Sequence, residues 1–265
     1  MPLVEIDDLS VTYGARRAGR RSTGKAALAD VSLDLHRGET LGLVGESGSG
    51  KTTLGRAVLG LVPVSAGAIR FDGEDITRAD RRTRRRLSQR IQVVFQNPYL
   101  SLNPQRTVLQ SVMETLASSP EVDRAEARAR SLEMLERVGI PPASADRYPG
   151  AFSGGQRQRI AIARALVPRP DVVVCDEAVS ALDLSIQAQV LNLLVDLQDE
   201  LGLTYLFITH DLAVVRHLCH RVAVLRRGEL VETGDTAAVC AAPAHPYTRT
   251  LLASAPVADP RLARA

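Results

Sequence analysis

The residue pattern with the clearest chemistry is a glycine-rich segment that follows an apolar run and precedes a predicted helix. It consists of Gly45, Glu46, Ser47, Gly48, Ser49, Gly50, Lys51 and Thr52. Glycines let the backbone curl until consecutive N–H groups point inward, and a helix N-terminus favours anions at the same place. Such a loop binds nucleotide phosphates, with Lys51 reaching the β- and γ-phosphates and Thr52 giving a hydroxyl to Mg²⁺. The alternative is a glycine-rich turn without a ligand, which the complete pattern disfavours.

Two acidic residues, Asp176 and Glu177, follow the continuous apolar run Val172–Cys175. Ligands bind at the carboxyl ends of strands in parallel sheets, so this is a position where carboxylates can act on a nucleotide. We expect Asp176 to hold Mg²⁺ or its water, and Glu177 to orient and deprotonate the attacking water. Such acids also bind helix N–H groups in a structural role, but the glycine-rich loop favours catalysis here.

Gln96 and His210 also come at or just after the ends of predicted strands. Gln96 follows Ile91–Phe95, and His210 comes shortly after Tyr205–Ile208. An amide at this edge can ligate Mg²⁺ and contact the water, and an imidazole can hydrogen-bond the γ-phosphate. Each residue alone is more often a satisfied polar side chain, but their shared edge favours function. The predicted catalytic set is Lys51, Gln96, Glu177 and His210.

A second anion site is predicted at Ser153, Gly154, Gly155 and Gln156, which open another helix. A serine N-cap, two glycines and a helix N-terminus favour anion binding. A single nucleotide does not need two such sites. The simplest solution is that each chain's second site closes over the nucleotide held by another chain. This predicts a head-to-tail dimer with ATP at the interface.

The elements that position these residues alternate between buried strands and amphipathic helices, which predicts an α/β fold with a parallel sheet. Other expected elements are short strands at Leu3–Ile6 and Val31–Leu35, a hairpin at Asp72-Gly73, one helical stretch from about Thr107 to Arg137, and a helix over Ile186–Leu201. The last 30 or so residues are rich in Pro and Ala, and we expect them to wrap the surface.

Composition excludes several classes of protein. The chain has 265 residues, 45% of them apolar, which allows one or two globular domains. No apolar run approaches the ~18 residues that span a bilayer, and no signal-peptide pattern is visible, so neither a membrane span nor export is expected. A net charge of +3 does not indicate nucleic-acid binding. Three dispersed cysteines are typical of reduced thiols in the cytoplasm. No asparagine is followed by Lys, and the protein-kinase triplets are absent, which excludes GTPases and protein kinases.

These motifs together resemble the ATP-binding subunits of ABC transporters over residues 1 to about 256. Phe152–Gln156 resembles the ABC signature, and Ser180–Asp183 resembles the loop that links the active sites of two subunits. Tyr13 matches the aromatic residue that stacks on adenine. The resemblance adds Tyr13, Thr53 and Asp183 to the candidate nucleotide-binding residues, and it implies ATP and Mg²⁺, with Thr52, Gln96 and Asp176 as the metal ligands.

More narrowly, the chain is similar to the oligopeptide/dipeptide importer ATPases. The stretches that carry this similarity are Phe95–Pro104, Val179–Leu194 and His245–Leu252. One departure is Ala178, which stands where a proline normally follows the catalytic glutamate. Proline fixes φ, so its loss leaves the backbone after Glu177 less constrained. Some relatives hold a C-terminal iron–sulfur cluster, but this tail offers only Cys240, so no cluster is expected.

The resemblance implies a P-loop NTPase (RecA-like) core with a small antiparallel β part and an inserted α-helical subdomain. The expected boundaries are 1–235 for the ATPase domain, about 97–158 for the helical subdomain and 236–265 for a C-terminal extension. The expected partners are a second ABC ATPase subunit, a paralogue rather than a copy, and two multi-spanning permease subunits. An extracytoplasmic solute-binding protein would act indirectly, and no nucleic acid is expected.

The expected function is ATP hydrolysis that powers peptide import from the cytoplasmic face of the membrane. The alternative within transport is a nickel importer ATPase, which is built alike. A non-transport ABC ATPase acting on DNA or ribosomes is the alternative from another class, although its usual coiled coils, zinc modules or second ATPase half are not visible. A nucleotide-gated scaffold would bind ATP without releasing phosphate.

Overall fold

The computed structural model describes residues 1–14, 24–97, 101–118 and 121–254, and within them the strands form two sheets. In chain order the strands are β1 (Val4–Tyr13), β2 (Lys25–Leu35), β3 (Thr40–Val44), β4 (Ala66–Phe71), β5 (Glu74–Asp75), β6 (Ile91–Phe95), β7 (Val172–Asp176), β8 (Thr204–Ile208), β9 (Arg221–Arg226) and β10 (Glu229–Asp235). The small sheet has the order β2-β1-β4-β5, and the large sheet has the order β10-β9-β3-β8-β7-β6.

The helices of the described residues lie on both sides of the large sheet and in the segment between β6 and β7. They are α1 (Lys51–Val58), α2 (Arg81–Arg90), α3 (Val108–Met113), α4 (Arg124–Arg137), α5 (Gly154–Leu166), α6 (Leu184–Leu201), α7 (Leu212–Leu218), α8 (Thr236–Ala241) and α9 (Pro246–Ser254). Short 3₁₀ turns occupy Glu114–Ser118, Pro142–Ser144 and Pro149–Ala151. Within these residues, none of the helices combines the length and the apolar character needed to cross a bilayer.

The large sheet is parallel from β9 through β3, β8 and β7 to β6, and only β10 pairs antiparallel. Its central strands are buried on both faces, and their successive side chains point to opposite sides of the sheet. Val172 and Val174 pack into a core shared with the small sheet, whereas Val173 and Cys175 pack into the core shared with the helical segment. This explains why the first four positions of β7 are all apolar instead of alternating.

The small sheet is antiparallel, and its β4–β5 hairpin confirms the prediction at Asp72-Gly73. Asp72 has φ 53° and Gly73 has φ 80°, as a two-residue turn with two positive φ angles requires. The predicted α/β class, with a parallel core, a small antiparallel part and an inserted helical part, is confirmed.

The structure refines two expectations about local structure. The stretch from Thr107 to Arg137 is not one helix, because α3 passes into a 3₁₀ turn and α4 begins anew after Asp123, whose carboxylate accepts the N–H of Glu126. The C-terminal region does not merely wrap the surface, since it forms α8 and α9 and buries Tyr247 in the core. In both cases helix caps and tertiary packing outweighed the sequence pattern.

Some predicted features lie outside the described residues. These are residues 98–100 of the stretch shared with the oligopeptide importer ATPases, residues 119–120 of the expected helical stretch and residues 255–265 of the expected C-terminal extension.

Candidate active site

Strand register brings the ends of four parallel strands side by side. Phe95 pairs with Asp176, Asp176 with Ile208, and Ile208 with Leu43. The glycine-rich loop follows β3, and the residues after β6, β7 and β8 include Gln96, Glu177 and His210. The four segments predicted to act together therefore leave the sheet at one edge.

Close packing explains why the first and last glycines of the glycine-rich loop, Gly45 and Gly50, tolerate no side chain. Gly45 has φ 147°, and a Cβ there would lie 2.1 Å from the carbonyl oxygen of Leu225. Gly50 has φ 111°, and a Cβ there would lie 2.7 Å from the carbonyl oxygen of Ala27. Both glycines combine a left-handed backbone with direct contact to a neighbouring chain segment, so the curvature of the loop depends on them.

Lys51 begins α1, and its side chain turns back over the loop. Its Nζ donates hydrogen bonds to the carbonyl oxygens of Gly45 (2.7 Å) and Glu46 (2.9 Å), and the residue is only 5% exposed. Burial lowers the pKa of Lys51, while the nearby carboxylates of Glu177 and Asp176 oppose that change. The ammonium group is thus fixed by the loop and faces the two strand-end acids.

Thr52 and Asp176 place two hard oxygen atoms next to each other. The Thr52 hydroxyl donates to Oδ1 of Asp176 across 3.0 Å. Burial raises the pKa of Asp176, and the hydrogen bond from Thr52 opposes the shift. Carboxylate and hydroxyl oxygens are the ligands that Mg²⁺ prefers, so the chemistry of this pair fits the predicted metal.

Glu177 has a constrained backbone and a histidine neighbour. Its φ is 52°, its N–H donates to the carbonyl oxygen of Ile208 (2.9 Å), and its Oε1 lies 3.4 Å from Nδ1 of His210. Positive φ is unfavourable for a residue with a side chain and occurs preferentially at functional sites. The backbone hydrogen bond to Ile208 holds this conformation, and the carboxylate lies beside His210.

Gln96 reaches the same group of residues through Ser180. Its Nε2 donates to the Ser180 hydroxyl (3.1 Å), and that hydroxyl donates to the backbone oxygen of Glu177 (3.0 Å). The strand ends after β6 and β7 are therefore linked by hydrogen bonds. The partnership of Gln96 with Ser180 was not predicted, although Ser180 belongs to a segment that the resemblance singled out.

A cleft of about 590 Å³ opens beside the loop. Its lining includes the predicted residues Tyr13, Ser47, Gly48, Gly50, Lys51, Thr52, Thr53 and Glu177. The hydroxyls of Tyr13 and Thr53 lie 3.4 Å apart at its rim. The lining also includes Lys25, Ala26, Ala27 and Arg227, which sequence reasoning missed. Arg227 lies in the turn between β9 and β10, and nothing in the sequence linked that turn to the loop.

The predicted second anion site does not line this cleft. Ser153 caps α5, because its hydroxyl accepts the N–H of Gln156 (3.3 Å) while the Gln156 amide oxygen accepts the N–H of Ser153 (3.0 Å). Asp183 likewise caps α6 by accepting the N–H of Ile186 (2.9 Å). Within the described residues of one chain, these groups are therefore separate from the loop that bears Lys51.

The two glycines of this segment differ in their surroundings. A Cβ on Gly155 would lie 2.4 Å from Cγ2 of Ile186 on α6, whereas a Cβ on Gly154 would meet nothing within 4 Å. Packing between α5 and α6 thus requires Gly155. No contact within the described residues explains Gly154.

We expect Gly155→Ala to lower the free energy of unfolding by about 1–3 kcal/mol, because the new methyl group forces α5 and α6 apart. Gly154→Ala is the matched control and should unfold like the wild type. Chemical denaturation of both variants measures the difference. Combining Gly155→Ala with Ile186→Ala should cost less than the sum of the single changes. Equal destabilisation by the two alanines would contradict the packing explanation.

Comparison with family models agrees with this architecture. The model described as "ABC transporter" matches residues 28–180, which span the glycine-rich loop, the Ser153 segment and the Asp176–Glu177 pair. The model described as "Oligopeptide/dipeptide transporter, C-terminal region" matches residues 231–265.

Similar proteins and structures extend the match over nearly the whole chain. A putative peptide import ATP-binding protein of Brucella abortus (strain 2308) is 52% identical over 96% of this chain and 77% of its own length. A putative peptide import ATP-binding protein of Brucella ovis is 51% identical over 97% of this chain and 81% of its own length.

Among solved structures, cbiO1 from Clostridium perfringens, part of the ABC transporter complex cbiONQ, has a TM-score of 0.80 at 32% identity, covering 91% of each chain. A dimeric ATP-binding cassette in a post-hydrolysis state with ADP and Pi has a TM-score of 0.77 at 30% identity, covering 88% of this chain and 98% of the other. The chain therefore belongs to the ATP-binding subunits of ABC transporters, in the oligopeptide/dipeptide branch of that family.

Proposed function

We propose that this chain is the ATP-binding and ATP-hydrolysing subunit of an importer that takes up oligopeptides or dipeptides through separate membrane subunits. The observation that carries this proposal is the convergence of Lys51, the Thr52–Asp176 pair and the Glu177–His210 pair at one sheet edge beside a cleft. The cargo class is supported by the peptide import names of relatives that are about half identical to the chain.

The loop and its lysine would bind the phosphates of ATP. Gly45–Thr52 offers backbone N–H groups at the start of α1, and the Lys51 ammonium supplies a point charge for the β- and γ-phosphates. Tyr13 lies at the rim, where the residue is 44% exposed and its ring would stack on a base. Thr53, next to Tyr13, completes this side of the cleft.

Thr52 and Asp176, with Gln96 at the neighbouring strand end, would hold Mg²⁺. A bound Mg²⁺ would supply positive charge to offset the charge that develops on the γ-phosphate. Gln96 already contacts Ser180, so its amide is oriented through a hydrogen bond to the segment that follows Glu177.

Glu177 would accept a proton from the water that attacks the γ-phosphorus. As the new phosphorus–oxygen bond forms, the bond to the bridging β–γ oxygen breaks, and ADP and phosphate result. His210 lies 3.4 Å from the Glu177 carboxylate, where its imidazole can contact the γ-phosphate and restrict the position of the base. Catalysis in this scheme depends mainly on positioning and charge neutralisation.

The second anion site would act on the nucleotide of a partner subunit. Ser153–Gln156 and Asp183 do not line this chain's own cleft, and Gly154 faces open space without a reason in its own fold. A head-to-tail pair of ABC ATPase subunits would give both groups a partner. We propose a paralogue as that second subunit.

The expected boundaries and partners remain part of this proposal. The helical subdomain would span about 97–158 and the C-terminal extension 236–265, with the ATPase domain over 1–235. The region of the Gln96 loop would dock on two multi-spanning permeases at the cytoplasmic face of the membrane. A solute-binding protein would deliver the cargo from outside, without direct contact with this chain.

Co-purification followed by reconstitution tests the proposal. The tagged full-length chain, extracted in mild detergent, should bring down a multi-spanning membrane protein and a second ABC ATPase. In proteoliposomes that contain the whole complex and its solute-binding protein, di- and oligopeptides should stimulate phosphate release. Stimulation by Ni²⁺ instead would favour the nickel importer. Tight ribosome or DNA association would overturn the transport assignment, and ATP binding without phosphate release would favour a scaffold.

A further inference from the structure

The C-terminal region contacts the phosphate-binding loop through one tyrosine. The hydroxyl of Tyr247, on α9, accepts a hydrogen bond from the backbone N–H of Glu46 at 3.0 Å. The two residues are 201 positions apart in sequence. The family description covers this region only as a C-terminal region, with no residue of it assigned to the nucleotide site.

The contacted N–H belongs to the peptide unit that also holds Lys51. The N–H of Glu46 and the carbonyl of Gly45 are the two ends of one planar trans peptide, and they point in opposite directions. The Gly45 oxygen accepts from Lys51 Nζ at 2.7 Å, while the Glu46 N–H donates to Tyr247. Tyr247 and Lys51 therefore hold the same peptide from its two sides, so rotation of the peptide would disturb both contacts.

Tyr247 is itself held firmly in place. The residue is 7% exposed, and the guanidinium of Arg226 lies 5.0 Å from the centre of its ring. Its N–H donates to Nδ1 of His245 (3.1 Å). The N–H groups of Ala244 and His245 in turn donate to the carboxylate of Glu232 on β10 at 2.8 and 3.0 Å. A short network thus fixes the hydroxyl before any ligand arrives.

We propose that Tyr247 is a positioning residue for the nucleotide site, which acts through the Gly45–Glu46 peptide to orient Lys51. The inference rests on the proposed function, because it concerns the affinity of the same loop for ATP. It gives the C-terminal region a role inside the ATPase site, since movement of α9 would alter nucleotide binding without any contact between α9 and the nucleotide.

Tyr247→Phe tests the proposal, because it removes the hydroxyl and keeps the buried ring. The Glu46 N–H then lacks its partner, and the peptide that receives Lys51 is less constrained. We expect the Kd for ATP of the full-length chain, measured by titration calorimetry, to rise about fivefold. Unchanged ATP affinity in a folded Tyr247→Phe variant would overturn the inference.

Tyr205→Phe is the matched control. The Tyr205 hydroxyl is also buried and donates to the backbone oxygen of Leu194 (3.1 Å), but Tyr205 lies near the opposite end of β8 from His210. Both variants should lose some thermal stability, whereas only Tyr247→Phe should weaken ATP binding. An equal loss of affinity in both variants would mean that Tyr247 acts only through general stability.

Amide hydrogen exchange gives a readout that does not depend on nucleotide. In the nucleotide-free protein, the Glu46 amide should exchange faster in Tyr247→Phe than in wild type, and unchanged exchange would contradict the proposed contact.

The role of Tyr247 and the proposed function can fail separately. Wild-type protein that does not bind ATP would refute the proposed function, while normal wild-type binding with an unaffected variant would refute only the role of Tyr247.

Discussion

Glu177→Gln should bind ATP nearly as well as wild type and hydrolyse it about 10²–10⁴ times more slowly, the range that one general base typically contributes. Glutamine keeps the size and hydrogen-bonding shape of the side chain but cannot accept the proton of the attacking water. Its backbone hydrogen bond to Ile208 does not involve the side chain, so the positive φ should persist. Phosphate release at saturating ATP, together with calorimetric ATP binding, measures the two effects separately.

Glu200→Gln provides the control for this experiment. Glu200 lies on α6 and pairs with Arg137 in an exposed ion pair, which contributes little to stability. The same chemical change there should leave both binding and turnover at wild-type values. Turnover of Glu177→Gln at the wild-type rate would show that another group accepts the proton, and the assigned role of Glu177 would have to be abandoned.

The central part of the fold was predictable because its signals are local. β7 has an apolar residue at all but its last position, and α6 ends at Gly202, which adopts φ 65° as expected for a helix stop. The glycine-rich loop was predictable for a similar reason, since its spacing specifies both a backbone shape and a ligand. In these segments, propensity, pattern and turn chemistry all favour the same structure.

Other elements depended on contacts that no local pattern contains. The seven arginines between residues 78 and 90 gave no helix prediction, yet α2 forms there and is capped by Asp80, whose carboxylate accepts the N–H of Thr83. Half of the residues of this helix are exposed, and only Leu87 is buried. One cap and one apolar anchor are too weak a signal to separate a helix from a solvated basic loop.

The candidate site shows the same difference between local sequence signals and long-range contacts. Residues that carry chemistry were found from their types, but the contacts that orient them join segments far apart in sequence. Gln96 contacts Ser180, and Tyr247 contacts Glu46, over separations of 84 and 201 residues. Single-sequence reasoning identifies candidate groups, whereas the strand register and helix packing that bring them together require the folded chain.

Lys51→Ala should differ from Glu177→Gln, because it weakens ATP binding as well as turnover. The Lys51 ammonium is the buried cation of the loop, and its loss leaves the phosphates without a charge-assisted hydrogen bond. Contacts of this kind are worth about 1.5–3 kcal/mol, so ATP affinity should fall by roughly 10–100-fold. Titration calorimetry with ATP measures the loss of affinity, and phosphate release at high ATP measures the loss of turnover.

Lys25→Ala is the control that separates a specific phosphate contact from a general effect of positive charge on ATP affinity. It removes the same charge from the rim of the same cleft. Lys25 is exposed, and an exposed charge is screened by solvent and salt, so ATP affinity should fall by less than about threefold. A fall of equal size in both variants would mean that the cleft attracts ATP only through its overall positive field. Wild-type affinity in Lys51→Ala would remove the lysine from the phosphate-binding role altogether. A large loss confined to Lys51→Ala requires a cation held at one fixed point, as its hydrogen bonds to Gly45 and Glu46 provide.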